Sequence, residues 1–286
     1  MKLLVIGKNG QVGGELLKAL PPSFEVAATD RSTLDLAEPE QIASVIQASK
    51  PHVIINAAAY TAVDKAESDQ ATARAINAVA PGVMAETAKT VGALLVHYST
   101  DYVFDGGKDA PYKEDDAPAP LGVYGRTKLD GERAIQASGC RYLILRTEWV
   151  YGPYGANFLL TMLRLAASRP ELRVVDDQFG APTSARAIAE ATARILSAGV
   201  PQDSGLYHMT SAGQTTWCGF ARAILAGSGS NVPVVAIATR DYPTPAARPR
   251  NSLFDNSRFE KRFGFRLPAW EEGLRQCLET LSKSAS

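Results

Sequence analysis

Long apolar runs are missing from this 286-residue chain. The first ends at Gly7, too soon for the hydrophobic region of a secretory signal, and no later one approaches the roughly 18 residues of a membrane-spanning helix. No membrane partner is expected. Net charge is missing too: 30 Lys and Arg offset 30 Asp and Glu, so no overall field draws the chain to nucleic acid or an anionic surface. An acidic ligand has to be met locally. Cysteine is scarce, and Cys140, Cys218 and Cys277 are odd in number, far apart and without a C-x-x-C or histidine-rich companion. They read as reduced thiols in a cytoplasmic protein. Internal repeats, low-complexity segments and charge blocks are absent as well, and the terminal "SKSAS" is expected to fray.

What is present is a rhythm. Short β-type runs, "LLVIG" (3–7), "VIINAAA" (53–59), "ALLVHYST" (93–100) and "YLILRT" (142–147), alternate with helical periodicity at Val12, Leu16, Leu17 and Leu20, at Ile42, Val45 and Ile46, and across 71–92. Strands alternating with crossover helices predict an α/β fold, a doubly wound parallel Rossmann-type sheet. Hydrophobic residues make up 45% of the chain, enough for a sizeable core. After about residue 150 the pattern becomes irregular and rich in Gly, Pro and Arg. The expected organisation is a dinucleotide-binding domain over 1–150, rejoined by about 183–211, with 151–286 forming most of a smaller substrate-binding domain.

Gly7, Gly10 and Gly13 follow the first strand and open the first helix. Glycine permits a tight turn and lets backbone N–H groups approach a pyrophosphate at a helix N-terminus. Asp30 falls at the expected end of the second strand, where a carboxylate accepts from an adenosine ribose hydroxyl and favours NADH. Arg31 follows at once and suits the 2′-phosphate of NADPH, so the cofactor is expected to be NADPH or NADH. Asp35 and Leu36 lie where an adenine edge is contacted.

The strand ending in Ser99, Thr100 and Asp101 presents these side chains at its carboxyl end, where ligands bind in such sheets. Downstream, "VYGRTKLDGE" holds Tyr124 and Lys128 four residues apart, on one face of a helix. A phenol is protonated at neutral pH and can give its proton to a ketone oxygen as hydride arrives. An ammonium within about 4–6 Å lowers a phenol's pKa by roughly 1–3 units and eases formation of the tyrosinate. Tyr124 is thus the expected general acid, Lys128 its electrostatic support, and Thr100 a hydrogen-bond donor to the substrate oxygen. His52, His97 and His208 invite no catalytic role; His97 reads as a satisfied sheet histidine.

Together with "GKNGQVG", "NAAAYTAVDKAE", "HYSTDYVFDG", "RTEWVYG", "DQFGAPTSA", "YPTPAARPRNS" and "LPAWEEGL", which span nearly the whole chain in order, these motifs resemble the extended short-chain dehydrogenase/reductases. Within them, the likeness is to the branch that reduces the C4 ketone of the dTDP-linked 4-keto sugar dTDP-4-dehydro-L-rhamnose. That resemblance implies that Gly10, Gln11 and Val12 line the cofactor pyrophosphate, and that Ala59, Tyr60, Thr61 and Tyr98 approach its ribose and nicotinamide. It implies that Thr100, Asp101, Tyr124 and Lys128 hold the reacting sugar with Trp149 packed on it. Asn157, Arg248 and Asn251 become candidates for the diphosphate and thymidine. Some members of the family are dimers bridged by Mg²⁺ through carboxylates; Glu15 matches one ligand, but Arg186 stands where another glutamate is expected, and Glu190 reads as a solvated helix residue. No metal is expected, and a monomer or weak homodimer is. Two alternatives stay open: an epimerase or dehydratase acting on another nucleotide sugar, and a non-enzymatic regulatory subunit of a methionine adenosyltransferase.

Overall fold

In a computed structural model, which describes residues 1–285, a six-stranded parallel sheet forms the centre. Its strands are β1 (Lys2–Ile6), β2 (Glu25–Thr29), β3 (Val53–Asn56), β4 (Leu94–Thr100), β5 (Arg141–Thr147) and β6 (Gly205–His208), in the spatial order β6-β5-β4-β3-β1-β2. The chain leaves β1 to one side for β2 and returns to the other for β3. This reversal opens a crevice at the strands' carboxyl ends.

Both faces of the sheet are covered, which is why its strands are almost continuously apolar. Leu3, Val5, Val96 and Tyr98 face helices α1 (Gln11–Ala19) and α6 (Ala185–Ser197). Leu4, Ile6, Ile54 and Leu95 face α2 (Pro39–Ser49) and α3 (Ala80–Val91), while α4 (Val123–Ser138) lies against α3. Period-two alternation therefore separates neighbours on β4: Tyr98 points one way and His97 the other. The helical stretch expected over 71–92 is interrupted by a π-type turn at Ala75–Val79. That turn carries the buried Asn77, which matters below.

The irregular C-terminal sequence builds its own core. Helices α5 (Phe158–Ala166), α7 (Trp217–Gly227) and α8 (Trp270–Ala285) enclose Leu159, Met162, Phe220, Ile224 and Leu274. Leu172–Val175 pairs in parallel with Val234–Ile237. Residues 150–151 pair with 183–184, so the chain crosses between the two halves more than once. The end is not frayed as far as Ala285, since α8 runs that far; Ser286 lies outside the described residues. All three cysteines are buried and free, and no helix among the described residues is long and apolar enough to cross a membrane.

Candidate active site

At the carboxyl end of β1 the chain turns through Gly7, whose φ of 94° lies in the left-handed region, and Gly10 N–H donates to the Gly7 carbonyl at 2.9 Å. A Cβ on Gly13 would stand 2.1 Å from that same carbonyl oxygen, so only glycine lets α1 pack this close. Gly10 caps α1 without any side-chain acceptor, leaving first-turn N–H groups facing outward, where they suit a phosphate. Gln11 and Val12 contribute to this turn through their backbone. The Gln11 side chain accepts from Asn157 Nδ2 at 2.9 Å, and Val12 packs into the core.

Beside the turn lies a cavity of about 320 Å³ whose walls include Gly7, Asp30, Arg31, Asp35, Leu36, Ala59, Tyr60 and Thr61. Asp30 accepts from the Ser32 hydroxyl at 2.6 Å and faces Lys8 Nζ at 3.2 Å, and these hold its carboxyl far below the usual range. It is a carboxylate at any working pH. Tyr60 is fixed by two bonds to one side chain: its N–H donates to Asn77 Oδ1 at 2.9 Å and its carbonyl accepts from Asn77 Nδ2 at 3.0 Å. The donors present fit a dinucleotide: backbone N–H groups for phosphate, a carboxylate for ribose, and a free arginine fork beside it.

Thr100 ends β4, and the N-terminus of α4 is held beside it because Val123 N–H donates to Glu67 Oε1 at 2.7 Å. Tyr124 lies edge-on to Tyr102 with ring centroids 5.4 Å apart, and it packs in a small cluster with Tyr60. Burial pushes the Tyr124 phenol up to about 12; the Thr100 hydroxyl pulls it back and the Asp101 charge adds to the rise. It is fully protonated at neutral pH. Thr100 donates its own hydrogen to Asp101 Oδ1 at 3.0 Å and accepts from Tyr102 N–H at 3.2 Å, so in this state its proton is directed at Asp101 and not outward. Asp101 also accepts from the Ser252 hydroxyl at 2.5 Å, and burial lifts it to about 6.

Lys128 departs from expectation. Its side chain is 2% exposed and its ammonium position meets the Tyr98 carbonyl at 2.7 Å and His97 Nε2 at 3.2 Å. Burial lowers it to about 8, with Glu132 opposing, and the phenol of Tyr124 is raised where a neighbouring ammonium was expected to lower it. Two side chains at i and i+4 share a helix face, but the lysine reaches past the tyrosine into the sheet. Tyr98 differs as well: its ring is buried on the α6 face, with its hydroxyl 2.8 Å from Thr192 Oγ1, so it meets the site only through its carbonyl.

A second cavity, of about 440 Å³, is walled by Tyr102, Phe158, Gln178, Trp217, Tyr242 and Arg248 among others. Arg248 forms a two-pronged pair with Asp64, at 3.0 and 2.8 Å. Trp149, at a φ of 47°, stacks on Trp217 with centroids 3.6 Å apart. Two candidates do not belong to this cavity. Asn157 caps α5, accepting from Leu160 N–H at 3.0 Å, and its amide hydrogens go to Gln11, Gly152 and Tyr154. Asn251 donates to the carbonyls of Lys108 and Ala110 and accepts from Leu253 N–H. Both are loop staples because a short amide bonds nearby backbone as readily as a ligand.

Residues missed in the sequence are those whose role is to hold others: Asn56, Glu67, Asn77, His97 and Ser252. His97 could have been found from strand parity, three residues before Thr100 on the face opposite Tyr98. Glu148 was also missed; it is 1% exposed, and burial, with the Asp101 charge adding and the Ala181 backbone opposing, holds its carboxyl well above the usual range. His208 is a core residue stacked on Phe254, and His52 accepts from Lys2 N–H. Glu190 is a solvated helix residue that pairs with Arg186 on the surface at 2.7 Å, and no three potential metal ligands converge among the described residues.

The family model described as RmlD substrate binding domain matches residues 1–283. A Burkholderia thailandensis protein named dTDP-4-dehydrorhamnose reductase is 49% identical, the match covering 98% of this chain and 99% of the relative. One of the same name from Escherichia coli K12 is 45% identical, covering 98% of each. The crystal structure of dTDP-4-dehydrorhamnose reductase from Bacillus anthracis in complex with NADP superposes with a TM-score of 0.93 at 36% identity, covering 98% of this chain and 99% of the other. A Thermus thermophilus UDP-glucose 4-epimerase has a TM-score of 0.83 at 19% identity, which speaks for the fold alone.

Proposed function

The chain belongs to the RmlD substrate-binding-domain family, and from that premise we propose that it reduces the C4 ketone of dTDP-4-dehydro-L-rhamnose to dTDP-L-rhamnose with NAD(P)H. The observation that carries this reading is the place of Tyr124, a buried, protonated phenol that packs on the same small cluster as Tyr60, a wall of one cavity, and is in ring contact with Tyr102, a wall of the other. One cavity has the donors of a dinucleotide site; the other has an arginine fork and aromatic walls that suit a nucleoside diphosphate sugar.

The cofactor, when bound, supplies hydride. The chain's residues orient the ketone and handle the proton. Tyr124 gives its proton to the substrate oxygen as negative charge develops there, and Thr100, once its hydrogen turns from Asp101, donates a second hydrogen bond to the same oxygen. The tyrosinate left behind is stabilised when Lys128, held against Tyr98 and His97 one helical turn away and not on the phenol itself, is an ammonium. Residues 1–150 with 183–211 serve as the cofactor-binding part, and most of 151–286 serves as the sugar-nucleotide part. Asp30 supports NADH and Arg31 supports NADPH, so both reduced forms are accepted.

An absorbance assay of reduced-cofactor consumption tests the reading, with dTDP-4-dehydro-L-rhamnose set against UDP- and GDP-linked 4-keto sugars. Turnover confined to the dTDP sugar is expected. Tightly bound oxidised cofactor with no net consumption would instead mark an epimerase or dehydratase, and no consumption of either kind would leave only a binding role.

A further inference from the structure

The contacts of Lys128 contain a chain of donors and acceptors that fixes a hydrogen. Ala58 N–H can only donate, and it points at one end of the Asn56 amide at 3.2 Å, so that end is the carbonyl oxygen Oδ1. The other end is then the NH2 group, 3.0 Å from His97 Nδ1. Nδ1 must accept. A neutral imidazole carries one N–H, so its hydrogen sits on Nε2, the atom 3.2 Å from Lys128 Nζ. An ammonium has only hydrogens to offer there, whereas an amine has a lone pair. The lysine's other partner, the Tyr98 carbonyl, accepts from either form.

We propose that His97 is a positioning residue for Lys128, and that Asn56 sets its tautomer so that Nε2–H is donated to the lysine nitrogen, favouring the uncharged amine before cofactor and substrate enter. The proposal rests on the reductase reading for its kinetic consequence but not for its structural one. His97 is 1% exposed, and burial together with the facing lysine holds it well below its ordinary range, so the ring is neutral. Burial lowers the lysine, and of the charged groups near it Glu132 favours the ammonium while this contact opposes it. Glu132, one turn along α4, is held by Arg146 of β5 at 2.9 and 2.6 Å, Tyr124 is protonated, and Asp101 is engaged by Thr100 and Ser252. If Lys128 must be an ammonium to support the tyrosinate, activity falls as pH rises through the lysine's titration, near 8 in the free protein.

The test is Asn56→Asp. A carboxylate accepts from Ala58 N–H as before but cannot donate to Nδ1, so the ring reverses, Nδ1–H faces the aspartate and Nε2 accepts from the ammonium. The alkaline limb of kcat/KM is expected to move up by about one pH unit or more, a tenfold change in the lysine's proton affinity. The added negative charge acts on its own, so the same substitution is made in a His97→Leu background, where the shift should be less than half as large. An unmoved limb, or an equal shift without the imidazole, overturns the proposal. Nitrogen-15 shifts of His97 in the labelled parent protein read the tautomer without any turnover: an acceptor-type Nδ1 with a protonated Nε2 is expected, and a protonated Nδ1 overturns it. Should the sugar prove wrong, the assay goes silent while this spectrum stands.

Discussion

The two cavities whose walls include Tyr60 and Tyr102 are built by different means. The one beside the glycine turn is lined mostly by residues that sit within a few positions of a strand end. The one beside Tyr102 is assembled from segments far apart in the chain, and its arginine is already paired with Asp64, 184 residues away. Recognition by backbone leaves a mark in the sequence, because it demands glycine. Recognition by side chains leaves little, because asparagine or arginine there looks the same whether it holds a ligand or a loop.

Four substitutions break or sharpen that contrast. Tyr124→Phe belongs to neither cavity and should lower kcat by roughly 10² to 10⁴ while KM for both ligands holds, since only the proton donor is lost. Unchanged turnover would remove the acid assignment. Arg248→Met should raise KM for the sugar nucleotide by roughly 10- to 100-fold, the range of a hydrogen-bonded charge, and leave cofactor binding alone. Gly13→Ala sets a methyl against the Gly7 carbonyl and should weaken cofactor binding tenfold or more, about 1.4 kcal/mol, without touching sugar affinity. Titration of cofactor fluorescence separates these two. Asn157→Ala should cost about 1 kcal/mol of stability through the lost cap and change neither KM; a raised sugar KM would return Asn157 to the site.

The four inner strands were legible because they are buried on both faces and must be apolar, whereas the edge strand β2 is only partly buried, and each crossover must be amphipathic. Gly7, Gly13, Asp30 and Arg31 could be placed for the same reason: each occupies a fixed offset from a strand end. The pair Tyr124 and Lys128 was legible as a spacing, but its geometry was not. Helical periodicity says that two side chains share a face; it does not say that the lysine will reach past the phenol to Tyr98 and His97. The partners of Asn157 and Asn251 were not legible because the backbone groups they bind come together only in the fold.

By itself the sequence determined the parallel sheet, the glycine turn after β1 and the presence of a phenol and a lysine one helical turn apart, because hydrophobic period, glycine and i, i+4 spacing act over a few residues. The tertiary structure alone decided which groups those side chains meet. Asn56, His97 and Lys128 lie on three elements, and a hydrogen bond, unlike a hydrophobic preference, depends on the position and direction of single atoms that the fold brings within about 3 Å.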